Sequence, residues 1–228
     1  MDNSGIIYLV QHCATSNDAA NYPVMLGQRY QNTIPLSTDG TEQAKALATY
    51  FAGKGVETIY TSPLARAVQT AMVINKEVEG SVIFCESLTD VDAGDWEGMT
   101  LDEIARDENS ALAAHVRDPA TYGYPGGETL GDVARRAFGI LEAVAARHRN
   151  QRVVIITHKD VNLAVLPHLM GVPMTRAREI DQDPGGVNVI RVFRGVMELQ
   201  AVNFTRNFEL AEEEEQCDVP SITPVGSV

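Results

Sequence analysis

The chain alternates short apolar runs with amphipathic stretches. Ile6-Ile7-Tyr8-Leu9-Val10 is a continuous apolar run that stops at Gln11-His12-Cys13-Ala14-Thr15, which predicts a buried strand delivering His12 to a loop. Val153-Val154-Ile155-Ile156 repeats the pattern and ends in Thr157-His158. Between them, Ala44, Leu47, Ala48 and Phe51 fall at helical spacing within 41–52, after Ser37-Thr38-Asp39-Gly40. Residues 56–61 and 82–85 read as strands, and Ser62-Pro63 opens a helix to about Glu79 with Pro63 at its first position. Residues 100–118 look helical but irregular, 129–149 form a long amphipathic helix, and 161–169 form another that Gly171-Val172-Pro173 ends. Residues 187–193 and 196–202, joined by Arg194-Gly195, read as paired edge strands. This alternation predicts a three-layer α/β/α fold whose central sheet is mostly parallel.

In such a sheet, ligands bind outside the carboxyl ends of the strands, so two strand-end histidines can face one site. A pair of core histidines is the alternative. Arg66 lies in the first turn of its helix, where the dipole favours an anion rather than a cation. It hints at an anion held nearby, against a surface arginine paired with a carboxylate. Leu88 to Gly98 is dense in carboxylates and holds the only tryptophan, Trp96. Residues 14–37 read as a long loop beside His12, and about 99–127 as an inserted cap.

Composition narrows the field. At 228 residues and 44% hydrophobic the chain suits one domain, over 1–208. Its net charge of −13 argues against nucleic-acid and anionic-membrane partners. Residues 209–218 carry six acidic side chains and no basic one, so the rest of the chain holds only −7. The segment 209–228 predicts a disordered acidic tail. Cys13, Cys85 and Cys217 are too scattered for a zinc module or a disulfide framework. With no sustained apolar segment, a cytoplasmic location is expected.

Several pieces then align with a known family. Leu36-Ser37-Thr38-Asp39-Gly40, Tyr60-Thr61-Ser62-Pro63-Leu64-Ala65-Arg66-Ala67, Gly94-Asp95-Trp96-Glu97-Gly98, Pro125-Gly126-Gly127-Glu128-Thr129 and Thr157-His158 occur in order with the two histidines. Over roughly 6–206 the chain resembles the histidine phosphatase superfamily, the phosphoglycerate mutase-like group. The resemblance implies phosphoryl transfer through a phosphohistidine, without metal or organic cofactor. It makes His12 the nucleophile, His158 a hydrogen-bonding or cationic partner of the phosphoryl oxygens, and Arg66 a phosphate ligand. It makes Asp90 the general acid where the family usually has glutamate, with Asp92 competing as acid or capping backbone amides. Arg136 aligns with an arginine that contacts substrate in the mutase branch; a surface arginine is the alternative. His115, His148 and His168 read as structural or solvated.

The departures cluster at the first motif, where Gln11-His12-Cys13 stands for the family's Arg-His-Gly. Gln11 can donate but carries no charge, and Cys13 places a side chain where the family's backbone nears the phosphate. Cys13 reads as a small filler, with a redox-sensitive thiol as the alternative. Asp18 takes a position commonly asparagine, for which Asn17 can substitute. Lys159 offers a compensating positive charge; pairing with Asp160 in solvent is the alternative.

The expected function is a metal-independent phosphomonoester hydrolase acting on a small phosphorylated metabolite, which is its expected partner; a homodimer stays open. A member without phosphatase activity, serving as a ligand- or protein-binding module or catalysing different chemistry, is the second reading. A mutase is disfavoured by the weakened pocket. Neither the substrate nor the effect of the Gln11, Cys13 and Asp18 changes is set by the residues.

Overall fold

A computed structural model describes residues 4–18, 24–28, 34–106 and 111–205. The expected tail over 209–228, parts of the loop over 14–37 and the middle of the irregular 100–118 segment lie outside these. Strands β1 (Gly5–Gln11), β2 (Val56–Thr61), β3 (Ser81–Phe84), β4 (Arg152–Thr157), β5 (Val187–Phe193) and β6 (Val196–Phe204) form one sheet in the order β3-β2-β4-β1-β5-β6. The first four in that order run parallel, and β5 and β6 are antiparallel additions. The β5–β6 turn puts Arg194 and Gly195 at φ 51° and 83°, the left-handed pair a tight hairpin needs.

Helices cover both faces. Helices α1 (Thr38–Phe51) and α2 (Ala65–Val78) pack over Tyr8, Val10, Ile59, Val154 and Ile156. The opposite face, with Ile7, Leu9, Val153 and Ile155, lies under later elements. These are α3 (Leu101–Arg106), α4 (Ala111–Arg117), α5 (Leu130–Arg147) and α6 (Lys159–Met170). Successive strand residues thus feed two separate cores, as the pleat requires.

Helix starts were the least legible boundaries. Helix α1 begins three residues before the expected Thr41 because the Ser37 hydroxyl caps the Gly40 amide at 3.0 Å. Helix α2 begins after Pro63 rather than on it, with Leu64 as its cap. Helix α5 starts on a capping box in which Thr129 and Asp132 bond each other's backbone amides.

The register positions the site. Residues Gln11 and Thr157 are partners at the ends of β1 and β4, so His12 and His158 follow side by side. On the other flank of β4, β2 pairs in parallel and ends in Ser62, whose amide donates to the Ile156 carbonyl at 3.0 Å. Three adjacent carboxyl ends therefore converge. Among the described residues no helix is long and apolar enough to cross a membrane.

Candidate active site

The loop carrying His12 is tied at each residue. The His12 amide donates to the Thr157 carbonyl, the Cys13 amide to Thr70 Oγ1, and the Ala14 amide to Gln43 Oε1. The Ala14 carbonyl accepts the Ser37 amide at 3.0 Å. Gly40 lets α1 approach this closely, since a Cβ there would sit 1.8 Å from the Ala14 carbonyl oxygen.

His12 is held in one tautomer. Its Nδ1–H donates to the Cys13 carbonyl at 2.9 Å, which leaves the Nε2 lone pair to accept from Arg66 Nε, also at 2.9 Å. Burial, with the Arg66 charge adding to it, lowers the His12 pKa to about 3, so the ring is neutral near pH 7.

Arg66 is 1% exposed and central. Besides His12 it binds Asp90 Oδ2 through Nη2 at 2.6 Å, while its Nη1 is buried with no partner among the described residues. His158 is fully buried, and its Nε2 lies 2.8 Å from Ser62 Oγ. Ser62 Oγ also accepts the Leu64 amide at 3.3 Å. His158 Nδ1 lies 3.4 Å from Asp90 Oδ2 and has no hydrogen-bond partner among the described residues. Burial first, then the Arg66 charge, hold His158 well below the ordinary histidine range. Its ring is therefore neutral near pH 7. The ring centroids of His12 and His158 are 5.1 Å apart.

Asp90 reaches this group on the loop after β3. Burial raises its pKa to about 6 against the opposing pull of Arg66, and the Asp160 charge adds to the rise. Asp160 Oδ2 accepts from the Tyr124 hydroxyl at 3.3 Å. Asp92 instead caps a turn, its Oδ1 accepting the Gly94 amide at 2.9 Å.

The structure joins His12, Arg66, Asp90 and His158, with Gln11 alongside. The Gln11 side chain is 5% exposed, and its Oε1 has no partner among the described residues. Asn17 and Lys159 are not drawn in. Both polar atoms of the Asn17 amide bond the Val24 backbone at 3.2 Å. Lys159 is the exposed first residue of α6, with no ion pair among the described residues; Asp160 bonds Tyr124 instead. Asp18 caps the loop, its Oδ2 accepting the Thr15 amide and hydroxyl at 2.6 and 2.7 Å, and its charge acts on His12 and Arg66.

Cys13 fits the small-filler reading. Its side chain is fully buried among Ala44, Leu47, Ala67 and Val187, on the α1–α2 side of the sheet. It does not stand where a phosphate would come. Burial pushes its thiol up to about 12, which removes the reactive thiolate that redox sensing needs.

Sequence reasoning missed Ser62 as the partner of His158, and Thr157, whose hydroxyl donates to the Leu88 carbonyl at 2.9 Å. Ser62 was visible only as part of the motif around Arg66. The other histidines are structural or lie at the surface: His115 donates to the Tyr122 carbonyl, His148 meets the Tyr60 hydroxyl, and exposed His168 packs on Phe138. No group of three or more His, Cys, Asp or Glu residues is placed to hold a metal ion among the described residues.

The sequence profile of the Histidine phosphatase superfamily (branch 1) matches residues 7–205. The chain belongs to the histidine phosphatase superfamily. Phosphoserine phosphatase 1 of Hydrogenobacter thermophilus is 32% identical over 166 residues, covering 72% of this chain and 79% of that protein. Among solved structures, Bacillus stearothermophilus YhfR superposes with a TM-score of 0.79 at 26% identity, over 90% of this chain and 98% of that one. Mycobacterial glucosyl-3-phosphoglycerate phosphatase shares the fold with a TM-score of 0.76 at 23% identity, over 88% and 99% of the two chains. The family profile and the relative named as a phosphoserine phosphatase set the coarse class, a phosphatase of this superfamily, and leave the substrate unspecified.

Proposed function

We propose that this superfamily member hydrolyses phosphomonoesters of small metabolites through a phosphohistidine at His12. The observation that carries the reading is the locked tautomer: Nδ1–H is engaged by the Cys13 carbonyl, and a neutral Nε2 is presented beside Arg66. In the first step Nε2 bonds to phosphorus, the P–O bond to the alcohol breaks, and Asp90 gives its proton to the departing oxygen. In the second, Asp90 as carboxylate takes a proton from water, whose oxygen bonds to phosphorus and releases His12. An Asp90 pKa of about 6 lets one residue serve both steps.

The free donors suit phosphoryl oxygens. Arg66 Nη1 has no partner among the described residues, and the Arg66 Nε–H on His12 must transfer to the incoming phosphoryl group. With its proton on Nδ1, which has no partner among the described residues, His158 would add a donor, and the Gln11 amide completes the set. Phosphoryl transfer needs mainly such positioned charge and donors.

The test is hydrolysis of an aryl phosphate with and without EDTA, followed by a panel of phosphoesters. The panel includes phosphoserine and glucosyl-3-phosphoglycerate, the compounds in the relatives' names. EDTA-resistant turnover, lost in His12→Ala and accompanied by acid-labile phosphate on His12, is expected. Absence of hydrolysis across the panel would instead favour a binding role, the reading that an uncharged Gln11 supports.

A further inference from the structure

Arg136, in the second turn of α5, is neither a substrate contact nor a surface residue. A guanidinium has five N–H donors, and here each has an acceptor. Nε binds Glu128 Oε1 at 2.9 Å, and Nη2 binds Glu128 Oε2 and the Asp90 carbonyl, both at 3.0 Å. Nη1 binds the carbonyls of Ser87 at 2.9 Å and Thr89 at 2.6 Å. None is left for a ligand. Three acceptors belong to the backbone that carries Asp90, and Thr157 takes the remaining carbonyl of that stretch, Leu88.

The paired carboxylate is also engaged on that loop. Glu128 Oε2 accepts the Asp92 amide at 3.0 Å, and Gln28 Nε2 donates to the Asp90 carbonyl at 2.7 Å. Backbone on both sides of Asp90 is thus anchored to one ion pair. The Asp90 carboxylate itself is not part of it.

We infer that Arg136 is the positioning residue for the general acid, fixing the Asp90 backbone so that its carboxyl reaches the departing oxygen. This rests on the acid role proposed for Asp90. The need is acute because aspartate is shorter than glutamate by one carbon–carbon bond, about 1.5 Å. A displacement of about 1 Å at a reacting group can cost roughly 100-fold in rate. Without Arg136, five carbonyl-directed or carboxylate-directed anchors go together, and the loop is free to drift by that amount.

A leaving-group comparison separates positioning from general structural damage. An alkyl phosphate needs a proton on its departing oxygen, whereas a p-nitrophenyl phosphate leaves without one. Because the second step is common to both esters and also uses Asp90, the comparison is read in kcat/KM, which reports the first step: Arg136→Met is expected to lower it about 100-fold on the alkyl ester, the scale of a lost general acid, and by less than about threefold on the aryl ester. In an Asp90→Asn background the same substitution should add almost nothing. Arg136→Lys, which keeps the charge but not the fork, should fall between, and guards against a Met variant that does not fold. Equal losses on both esters, or losses that multiply with Asp90→Asn, would overturn the inference. If the unaltered protein hydrolyses neither ester, the phosphatase reading falls, and the acid role of Asp90 with it.

Discussion

Arg66 Nε donates to the lone pair of His12 Nε2 across 2.9 Å, so the proposed nucleophile is capped by the cation proposed to bind phosphate. Attack requires that this bond be exchanged for bonds to phosphoryl oxygens. The exchange replaces one charge-assisted hydrogen bond with others of similar strength, so it need not slow turnover. Arg66→Met uncovers His12 but removes the clamp. With charged hydrogen bonds contributing about 1.5–3 kcal/mol each, kcat/KM should fall at least about 100-fold. The His12 pKa should rise above 3 while staying below the ordinary range, because burial is the larger cause and the Arg66 charge the second. NMR titration of the His12 ring measures this, and an unchanged pKa would contradict the assigned contact.

The pH profile should show Asp90 and not His12. A neutral His12 is required, and since its pKa is about 3 it stays neutral down to roughly pH 4, giving no acid limb above that. Asp90 must be protonated for the first step. With its pKa near 6, the protonated fraction falls tenfold per unit above that value. For an alkyl phosphate, kcat/KM should therefore decline above about pH 6. In Asp90→Asn that decline should vanish, leaving only substrate ionisation, at an overall rate about 100-fold lower. A decline that survives the substitution would assign the limb to another group.

The two departures at the first motif should behave differently from each other. Gln11→Arg returns a charged donor beside the phosphate, and one charge-assisted hydrogen bond gained should raise kcat/KM about tenfold. Because position 11 is buried, the new charge should also lower the melting temperature, and inorganic phosphate should restore it. Cys13→Gly should bring no gain in turnover, since the thiol faces the α1–α2 core. It should instead cost about 1–3 kcal/mol through lost packing and added chain freedom. Urea titrations and steady-state rates on both variants decide this. Higher turnover in Cys13→Gly would mean the loop geometry is wrong.

How far the site could be read from sequence depended on what fixes each side chain. The two histidines were legible because β-branched runs set strand ends, and parallel strands put those ends together. Arg66 was legible because a cation in a helix's first turn conflicts with the dipole and needs a reason. Cys13 was not, since the residue after a strand end has no period to set its direction. Arg136 carried a signal that went unread. It lies three residues after Val133 and four before Ile140, on the flank of the buried stripe of Val133, Ala137, Leu141 and Val144. An arginine beside an apolar stripe is placed to turn inward, and what it reaches depends on a loop distant in sequence.

Gly40→Ala sets two effects of known size against each other. Helix propensity alone favours alanine by about 1 kcal/mol, because Gly40 lies within α1. The added Cβ, however, would stand 1.8 Å from the Ala14 carbonyl oxygen, a backbone atom that cannot rotate away. That carbonyl accepts the Ser37 amide, and the segment before it holds His12. Relief requires α1 to move off the loop or the loop to move toward the site. Overpacking of this kind costs about 1–3 kcal/mol, so the clash outweighs the propensity gain. The variant should be less stable by up to about 2 kcal/mol. It should also lose roughly tenfold or more in kcat, because the His12 ring shifts with its loop. A stabilised variant with full activity would show that α1 does not set the position of His12.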